Sequence, residues 1–134
     1  MVPLSFKEIS ERLRQKELPE TDLVVGIGTG GVVAAALVAF QLQVELITIT
    51  LNYRDAQNQP QHDAPVVLQS LAPESIAGKK ILLVDDVSVT GKTLETARKL
   101  LPGATVTTLT LKGKADIVLF PDVQDCVKWP WKIG

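Results

Sequence analysis

Residues 81–84, Ile-Leu-Leu-Val, form an apolar run that leads directly into two adjacent acids, Asp85 and Asp86. An apolar run without alternation is typical of a strand that is buried on both faces, as in a parallel sheet. This run therefore favours an α/β fold, in which helices cover both faces of the sheet. Adjacent carboxylates repel each other, so a strand that leads into them indicates a binding role rather than a stabilising one.

The segment after the acid pair is small and rich in hydroxyl groups, and it leads into a new predicted helix. Backbone N–H groups, hydroxyl side chains and a helix N-terminus together favour a bound phosphate. The candidate phosphate-binding residues are Ser88, Val89, Thr90, Gly91, Lys92 and Thr93. Acids for sugar hydroxyls beside a phosphate-binding turn predict a site for a phosphorylated sugar.

Length and composition exclude several classes of protein. A chain of 134 residues is predicted to form a single domain, 1–134, because it can bury about two-thirds of its unfolded surface. The net charge of −1 argues against nonspecific nucleic-acid binding, which needs a basic face. Cys126 and His62, the only residues of their types, cannot complete a zinc site. No apolar stretch reaches the roughly 20 residues that span a bilayer. We therefore expect a cytoplasmic protein without a membrane partner.

Strands and helices are predicted to alternate along the chain. A capping box of Ser5 and Glu8 predicts the first helix. The polar segment that follows the second strand predicts a flexible loop at 53–69. The predicted strands are 22–27, 44–51, 66–68, 80–84, 104–111 and 116–120, and the other predicted helices are 32–42, one turn from 73, and 92–101. This alternation predicts a parallel sheet with right-handed crossovers.

Two glycine-containing segments match nucleotide-binding patterns in part. Residues 91–93 match the end of a P-loop, but Asp86 replaces the glycine that this motif needs, and its carboxylate would point into the phosphate site. Residues 26–31 satisfy the dinucleotide pattern, but the second predicted strand carries no acid at its end. Alternatively, these glycines only permit a tight turn between a strand and a helix.

The string from residue 81 to 93 resembles the signature of the type I phosphoribosyltransferases: an apolar strand, two acids, a short loop, then Thr-Gly and a hydroxyl residue. The resemblance implies a central parallel sheet flanked by helices, with a small C-terminal hood formed by 113–134. In this family the acids hold the ribose hydroxyls of phosphoribosyl pyrophosphate (PRPP), and the loop binds its 5′-phosphate. Matched by position, Asp85 and Asp86 become the ribose ligands and 88–93 the phosphate loop.

The resemblance also gives the glycine-rich turn a role. The corresponding turn of the family binds pyrophosphate through backbone N–H groups, and its residues here are Gly28, Thr29, Gly30 and Gly31. The family uses Mg²⁺ between pyrophosphate and ribose, which implies Asp85 and Asp86 as the metal-binding residues. From the predicted loop, Arg54 is the expected catalytic cation for pyrophosphate.

Features near the C-terminus are similar to the small xanthine–guanine type of purine phosphoribosyltransferase. Lys112 ends a predicted strand where those enzymes use a lysine to bind the exocyclic oxygen of the purine; the alternative is a solvated lysine. Residues 127–134 are similar to the Pro-Trp segment that closes over the base. This implies that the Val127 carbonyl meets the exocyclic amine and that Trp129 stacks on the base. The alternative for Trp129 is a core or dimer contact.

Three features depart from the family pattern. Val89 stands where the oxopurine enzymes carry an acid near the purine N7, and it cannot accept a proton. Thr29 stands where the pyrophosphate turn usually carries a basic residue, and 53–69 contains only Arg54 and His62 as basic residues.

The resemblance implies transfer of phosphoribose from PRPP to a purine with release of pyrophosphate, and the features near the C-terminus point to a 6-oxopurine. The departures leave an alternative, a PRPP- or nucleotide-binding regulatory protein with little turnover. Family members commonly pair, so a homodimer or higher homo-oligomer is expected, with small-molecule substrates and no nucleic-acid partner.

Overall fold

The computed structural model describes residues 1–52, 66–67 and 73–132. Most of the predicted loop 53–69, including Arg54, lies outside the described residues. The strands are β1 (Val2–Pro3), β2 (Leu23–Gly28), β3 (Glu45–Asn52), β4 (Val66–Val67), β5 (Lys80–Ser88), β6 (Thr105–Gly113), β7 (Ile117–Val118) and β8 (Val127–Lys128). The helices are α1 (Phe6–Gln15), α2 (Val32–Leu42) and α3 (Lys92–Arg98), with a 3₁₀ turn at Pro73–Ser75.

Five strands form a parallel sheet in the order β3-β2-β5-β6-β7, and β4 pairs antiparallel with the edge strand β3. Alternate residues of β5 enter two separate cores. Leu82 and Val84 pack with α1 and α2 on one face, and Ile81 and Leu83 pack with α3 on the other. The apolar run does not alternate because both faces are covered. The predicted α/β fold is therefore confirmed.

The ends of two elements differ from the prediction. Strand β5 continues to Ser88 instead of ending at 84, because its pairing with β6 extends as far as Gly113. The acid pair thus lies within the strand. Helix α3 ends at Arg98 instead of 101, and the next residues form tighter turns in which Leu101 N–H donates to the Arg98 carbonyl at 3.1 Å. Pro102 follows and disfavours helical backbone in the residue before it.

Two further predictions concern the capping box of the first helix and the strand expected at 116–120. The capping box is confirmed, because the Ser5 hydroxyl accepts from the Glu8 N–H and the Glu8 carboxylate accepts from the Ser5 N–H, each at 3.1 Å. The predicted strand 116–120 is reduced to β7. Among the described helices, none is long and apolar enough to cross a membrane.

The C-terminal tail folds back onto the N-terminus. Strand β8 pairs in parallel with β1, and the Leu4 N–H donates to the Lys128 carbonyl at 3.2 Å. Trp129 is only 3% exposed and packs in the core beside α1 and α2. Its ring stacks on Trp131 at a centroid distance of 5.4 Å, and Phe6 covers Trp131 at 5.9 Å. These contacts hold the C-terminal tail in place as far as Lys132.

Replacing Gly113 with alanine is expected to destabilise the protein by at least about 1 kcal/mol more than Gly78→Ala. Both glycines have positive φ angles, +105° and +75°, so both variants carry backbone strain, and it is greater at Gly113, whose φ lies further from the left-handed region. A Cβ on Gly113 would overlap the backbone of Ser88, with its carbonyl carbon at 2.7 Å, whereas a Cβ on Gly78 meets nothing within 4 Å. Urea unfolding measures the free energy of unfolding of both variants. Equal losses of stability would show that the backbone of Ser88 can move away from the new Cβ at no cost in free energy.

Candidate functional site

The acid pair lies near the carboxyl end of β5, at the centre of the sheet. Asp85 is 8% exposed, and the Asp86 N–H donates to its Oδ1 at 2.8 Å. The Val87 N–H donates to Asp86 Oδ1, also at 2.8 Å. Burial first, and then the adjacent Asp86 carboxyl, raises the pKa of Asp85 to about 8 from its ordinary 3.8. Asp85 therefore holds a proton at neutral pH, and a cation or hydroxyl donors would stabilise its charged form.

The glycine-rich turn after β2 packs directly against these acids, because β2 and β5 are neighbours in the parallel sheet. A Cβ on Gly30 would lie 3.0 Å from Asp86 Oδ2, and one on Gly31 would lie 2.9 Å from Asp85 Oδ1. A side chain at Gly31 would force the backbone to shift, because its Cβ would also meet the Ile27 carbonyl oxygen at 2.8 Å, and one at Gly30 would press on the Asp86 carboxylate. Within the described part of the chain, the N–H groups of Thr29 and Gly30 donate no hydrogen bond. The peptide bond between Gly28 and Thr29 is cis.

Helix α2 starts immediately after this turn and adds to its preference for anions. Its N-cap, Gly31, provides no side-chain cap, and its first turn contains no acid. The first N–H groups of a helix lack partners within the helix, and they attract negative charge. The turn therefore suits a phosphate group, which is the role that the resemblance implies for it.

The predicted phosphate loop surrounds a cavity of about 370 Å³ that is lined by residues 87–93. Ser88 is buried, and its hydroxyl has no hydrogen-bond partner among the described residues. Among those residues, the N–H groups of Val89, Thr90 and Gly91 also donate to no acceptor. Free hydroxyl and N–H groups around one cavity are the donors that a phosphate requires.

A second cavity of about 350 Å³ adjoins the loop and shares Val87 and Val89 with it. Its remaining lining residues are Lys112, Gly113, Phe120, Pro121, Val123 and Gln124. Apolar walls with a few polar groups suit a flat heterocyclic ring. The Lys112 ammonium donates to the Gln124 carbonyl at 3.4 Å, a long hydrogen bond that a ligand oxygen can replace.

The structure does not bring two predicted base-binding residues to this cavity. Trp129 packs in the core with its ring against Trp131, so the alternative of a core contact describes it and no base has access to its ring here. Val127 pairs with Val2 in the terminal two-stranded sheet and is not among the residues lining the cavity. Arg54 lies outside the described residues.

Sequence reasoning missed several residues around the site. Phe120, Pro121, Val123 and Gln124 form a wall of the second cavity, but their sequence carries no motif. Lys132 approaches the acid pair, with its ammonium 3.9 Å from Asp86 Oδ2. The β1–β8 pairing places this lysine, and pairing between the two ends of a chain leaves no local signal.

The parallel sheet carries the acid pair, the glycine-rich turn 28–31 and the loop 88–93 at its carboxyl edge. This arrangement is typical of α/β proteins that bind phosphorylated ligands. The family described as "phosphoribosyl transferase domain" matches residues 4–111 of this chain. The chain therefore belongs to the type I phosphoribosyltransferase family.

Two related proteins and one solved structure show how the chain compares within this family. The chain is 34% identical over 125 residues to a xanthine-guanine phosphoribosyltransferase of Chromohalobacter salexigens, covering 88% of this chain and 74% of that protein. It is 35% identical over 103 residues to the transcriptional regulator GfcR of Methanocella arvoryzae, covering 75% of this chain but only 49% of that protein. The xanthine-guanine-hypoxanthine phosphoribosyltransferase of Helicobacter pylori superposes with a TM-score of 0.78 at 17% identity, covering 98% of this chain and 94% of that one, which supports the fold alone.

Proposed function

We propose that the protein transfers the phosphoribosyl group of PRPP to a ring nitrogen of a 6-oxopurine base, which forms a nucleoside monophosphate and releases pyrophosphate. One observation carries the proposal: the acid pair of β5 lies against the turn at Gly30 and Gly31 and beside the cavity lined by 87–93. The identity to a xanthine-guanine phosphoribosyltransferase supports the choice of base.

Each segment has a proposed role in binding PRPP. Asp85 and Asp86 accept hydrogen bonds from the ribose hydroxyls. Residues 88–93 bind the 5′-phosphate, to which the buried Ser88 hydroxyl donates. The turn 28–31 binds pyrophosphate through its backbone N–H groups, and Arg54 is its proposed cation from outside the described residues.

The acid pair also fits the magnesium ion that the family implies. No group of three or more histidine, cysteine, aspartate or glutamate residues clusters within the described ranges. Magnesium is usually held by one or two carboxylates together with substrate phosphates and water, and the pair provides that number. Asp85 and Asp86 would hold the ion, which when bound supplies positive charge to the departing pyrophosphate.

The reaction breaks the bond between C1′ and the pyrophosphate oxygen, forms a bond between C1′ and the base nitrogen, and releases the proton of that nitrogen. The protein contributes mainly by positioning the two substrates and by stabilising the charge on pyrophosphate. The second cavity, lined by Val89 and Lys112, is the proposed base cavity. Val89 is 77% exposed there and offers no proton acceptor. The proton therefore passes to solvent or to another group.

Pyrophosphate release tests this proposal. The protein is incubated with PRPP, Mg²⁺ and one base at a time: hypoxanthine, guanine, xanthine, adenine or a pyrimidine. We expect release with a 6-oxopurine. Release with adenine or a pyrimidine alone would contradict the proposed base, and no release with any base would contradict turnover.

A PRPP- or nucleotide-binding regulatory protein is the second candidate. Val89 in the base cavity and the uncharged Thr29 in the glycine-rich turn both weaken the case for turnover. The 35% identity to a transcriptional regulator supports this candidate. Measurable PRPP binding without pyrophosphate release from any base would favour it.

Lys112→Gln is expected to raise KM for the base about tenfold or more and to leave PRPP affinity unchanged, because it removes one charged hydrogen bond to the exocyclic oxygen. Steady-state kinetics and PRPP titration measure the two effects. Lys114→Gln is the matched control, since this exposed lysine lies two residues further along and outside the base cavity. Equal kinetics in the two variants would support the alternative of a solvated Lys112.

We also propose that residues 1–134 function as one cytoplasmic domain, with 113–134 as its hood, and that the protein forms a homodimer or higher homo-oligomer. The packing of the tail against α1 supports the role of the hood. Light scattering coupled to size-exclusion chromatography measures the assembly, and a monomer at all concentrations would contradict it.

A further inference from the structure

The proposed pyrophosphate site contains an electrostatic conflict. Pyrophosphate carries several negative charges, and the turn 28–31 that would bind it contains no charged side chain. Asp86 Oδ2 lies within 3.0 Å of a Cβ built on Gly30, so a carboxylate stands beside the same turn. Like charges at such distances repel strongly where burial limits solvent screening. A cation near Gly30, in addition to the magnesium ion proposed at the acid pair, would reduce this repulsion.

Lys132 provides a cation at this position. Its ammonium lies 3.9 Å from Asp86 Oδ2, the same oxygen that approaches Gly30. These two contacts place the ammonium within about 7 Å of the Cβ position of Gly30. A phosphate seated on the turn would therefore lie within reach of the lysine side chain.

The fold holds the backbone of Lys132 in place and leaves its side chain available. The Lys132 N–H donates to the Trp129 carbonyl at 3.2 Å, and Trp129 is buried in the core. The Lys132 side chain is 58% exposed, and its pair with Asp86 is long. Exposed ion pairs contribute little, about 0–1 kcal/mol, so the ammonium can move to a more highly charged partner at small cost.

We infer that Lys132 binds the pyrophosphate group of PRPP and stabilises the negative charge that grows on it as it departs. This inference rests on the proposed function, because it requires PRPP in the site. It adds to the turn 28–31 a positive charge contributed by the C-terminal tail, in addition to any contribution from Arg54.

Two ligands separate this role from a general effect on the site. PRPP and ribose 5-phosphate share the ribose and the 5′-phosphate, but only PRPP carries pyrophosphate. Calorimetry with Mg²⁺ is expected to show that Lys132→Gln weakens PRPP binding about tenfold, the value of one charged hydrogen bond, and leaves ribose 5-phosphate binding unchanged. Lys132→Arg should retain PRPP affinity because it keeps the charge.

Lys128→Gln is the matched control, because Lys128 is an exposed lysine of the same tail and its variant loses the same charge. It is expected to bind both ligands as the parent does. Equal weakening of both ligands by Lys132→Gln, or no weakening of PRPP, would overturn the inference while the proposed function stands. A parent protein that binds neither ligand would overturn both.

Discussion

Replacing both Asp85 and Asp86 with asparagine is expected to lower the affinity for PRPP at least about tenfold, because hydrogen bonds to charged groups contribute about 1.5–3 kcal/mol each. Asparagine has nearly the same shape and keeps an oxygen that can accept the N–H groups of Asp86 and Val87, each now at 2.8 Å. The fold should therefore survive. Isothermal titration with PRPP and Mg²⁺ measures the affinity, and thermal unfolding measures the fold.

The control for this variant must make the same two carboxyl-to-amide replacements at a distance from the site. Glu11 and Asp125 are both exposed, so the double variant Glu11→Gln with Asp125→Asn makes these replacements outside the site. It is expected to bind PRPP as the parent does. PRPP binding that stays unchanged in the Asp85–Asp86 double variant would refute the assignment of the ribose site, whichever function the protein has.

The single variant Asp85→Asn is expected to be more stable than the parent above about pH 8, by an amount on the order of 2 kcal/mol or more. Burial and the neighbouring Asp86 raise the pKa of Asp85 to about 8, so the native state binds this proton more tightly than the unfolded chain does. The parent therefore loses stability as the pH rises from about 4 to about 8. Asparagine stays neutral and removes this loss.

Urea unfolding between about pH 4 and pH 9, in the presence of EDTA, measures this difference. The two proteins should have similar stability near pH 4 and diverge as the pH rises. Asp122→Asn is the contrasting control, because its exposed carboxylate accepts from Arg12 at 2.8 Å, which holds the pKa of Asp122 below its usual range. That variant should gain no stability at high pH. A constant difference between Asp85→Asn and the parent would show that folding does not raise the pKa of Asp85.

The sequence predicts the parallel sheet well because its signal is local. The run at 81–84 is apolar in every position, and the capping box at Ser5 and Glu8 depends only on residues of one turn. The end of β5 could not be predicted in the same way. It depends on pairing between Ser88 and Gly113, which lie far apart in the sequence.

The candidate site likewise has one part that the sequence predicts and one part that it does not. The approach of 28–31 to the acid pair follows from two apolar strands that become neighbours in a parallel sheet, since the carboxyl ends of such strands meet at one edge. No comparable rule predicts where the C-terminal tail packs. Strand β8 pairs with β1 directly before the buried Trp129 and before Lys132, whose ammonium approaches Asp86, so the burial of the tryptophan and the position of the lysine both depend on this pairing.

A crystal structure with ribose 5-phosphate and Mg²⁺ tests the central claim most directly. We expect the ribose hydroxyls within hydrogen-bond distance of Asp85 and Asp86, and the phosphate among the N–H and hydroxyl groups of 88–93. A sugar phosphate bound elsewhere, with no ligand contact at the acid pair or the loop, would contradict the account.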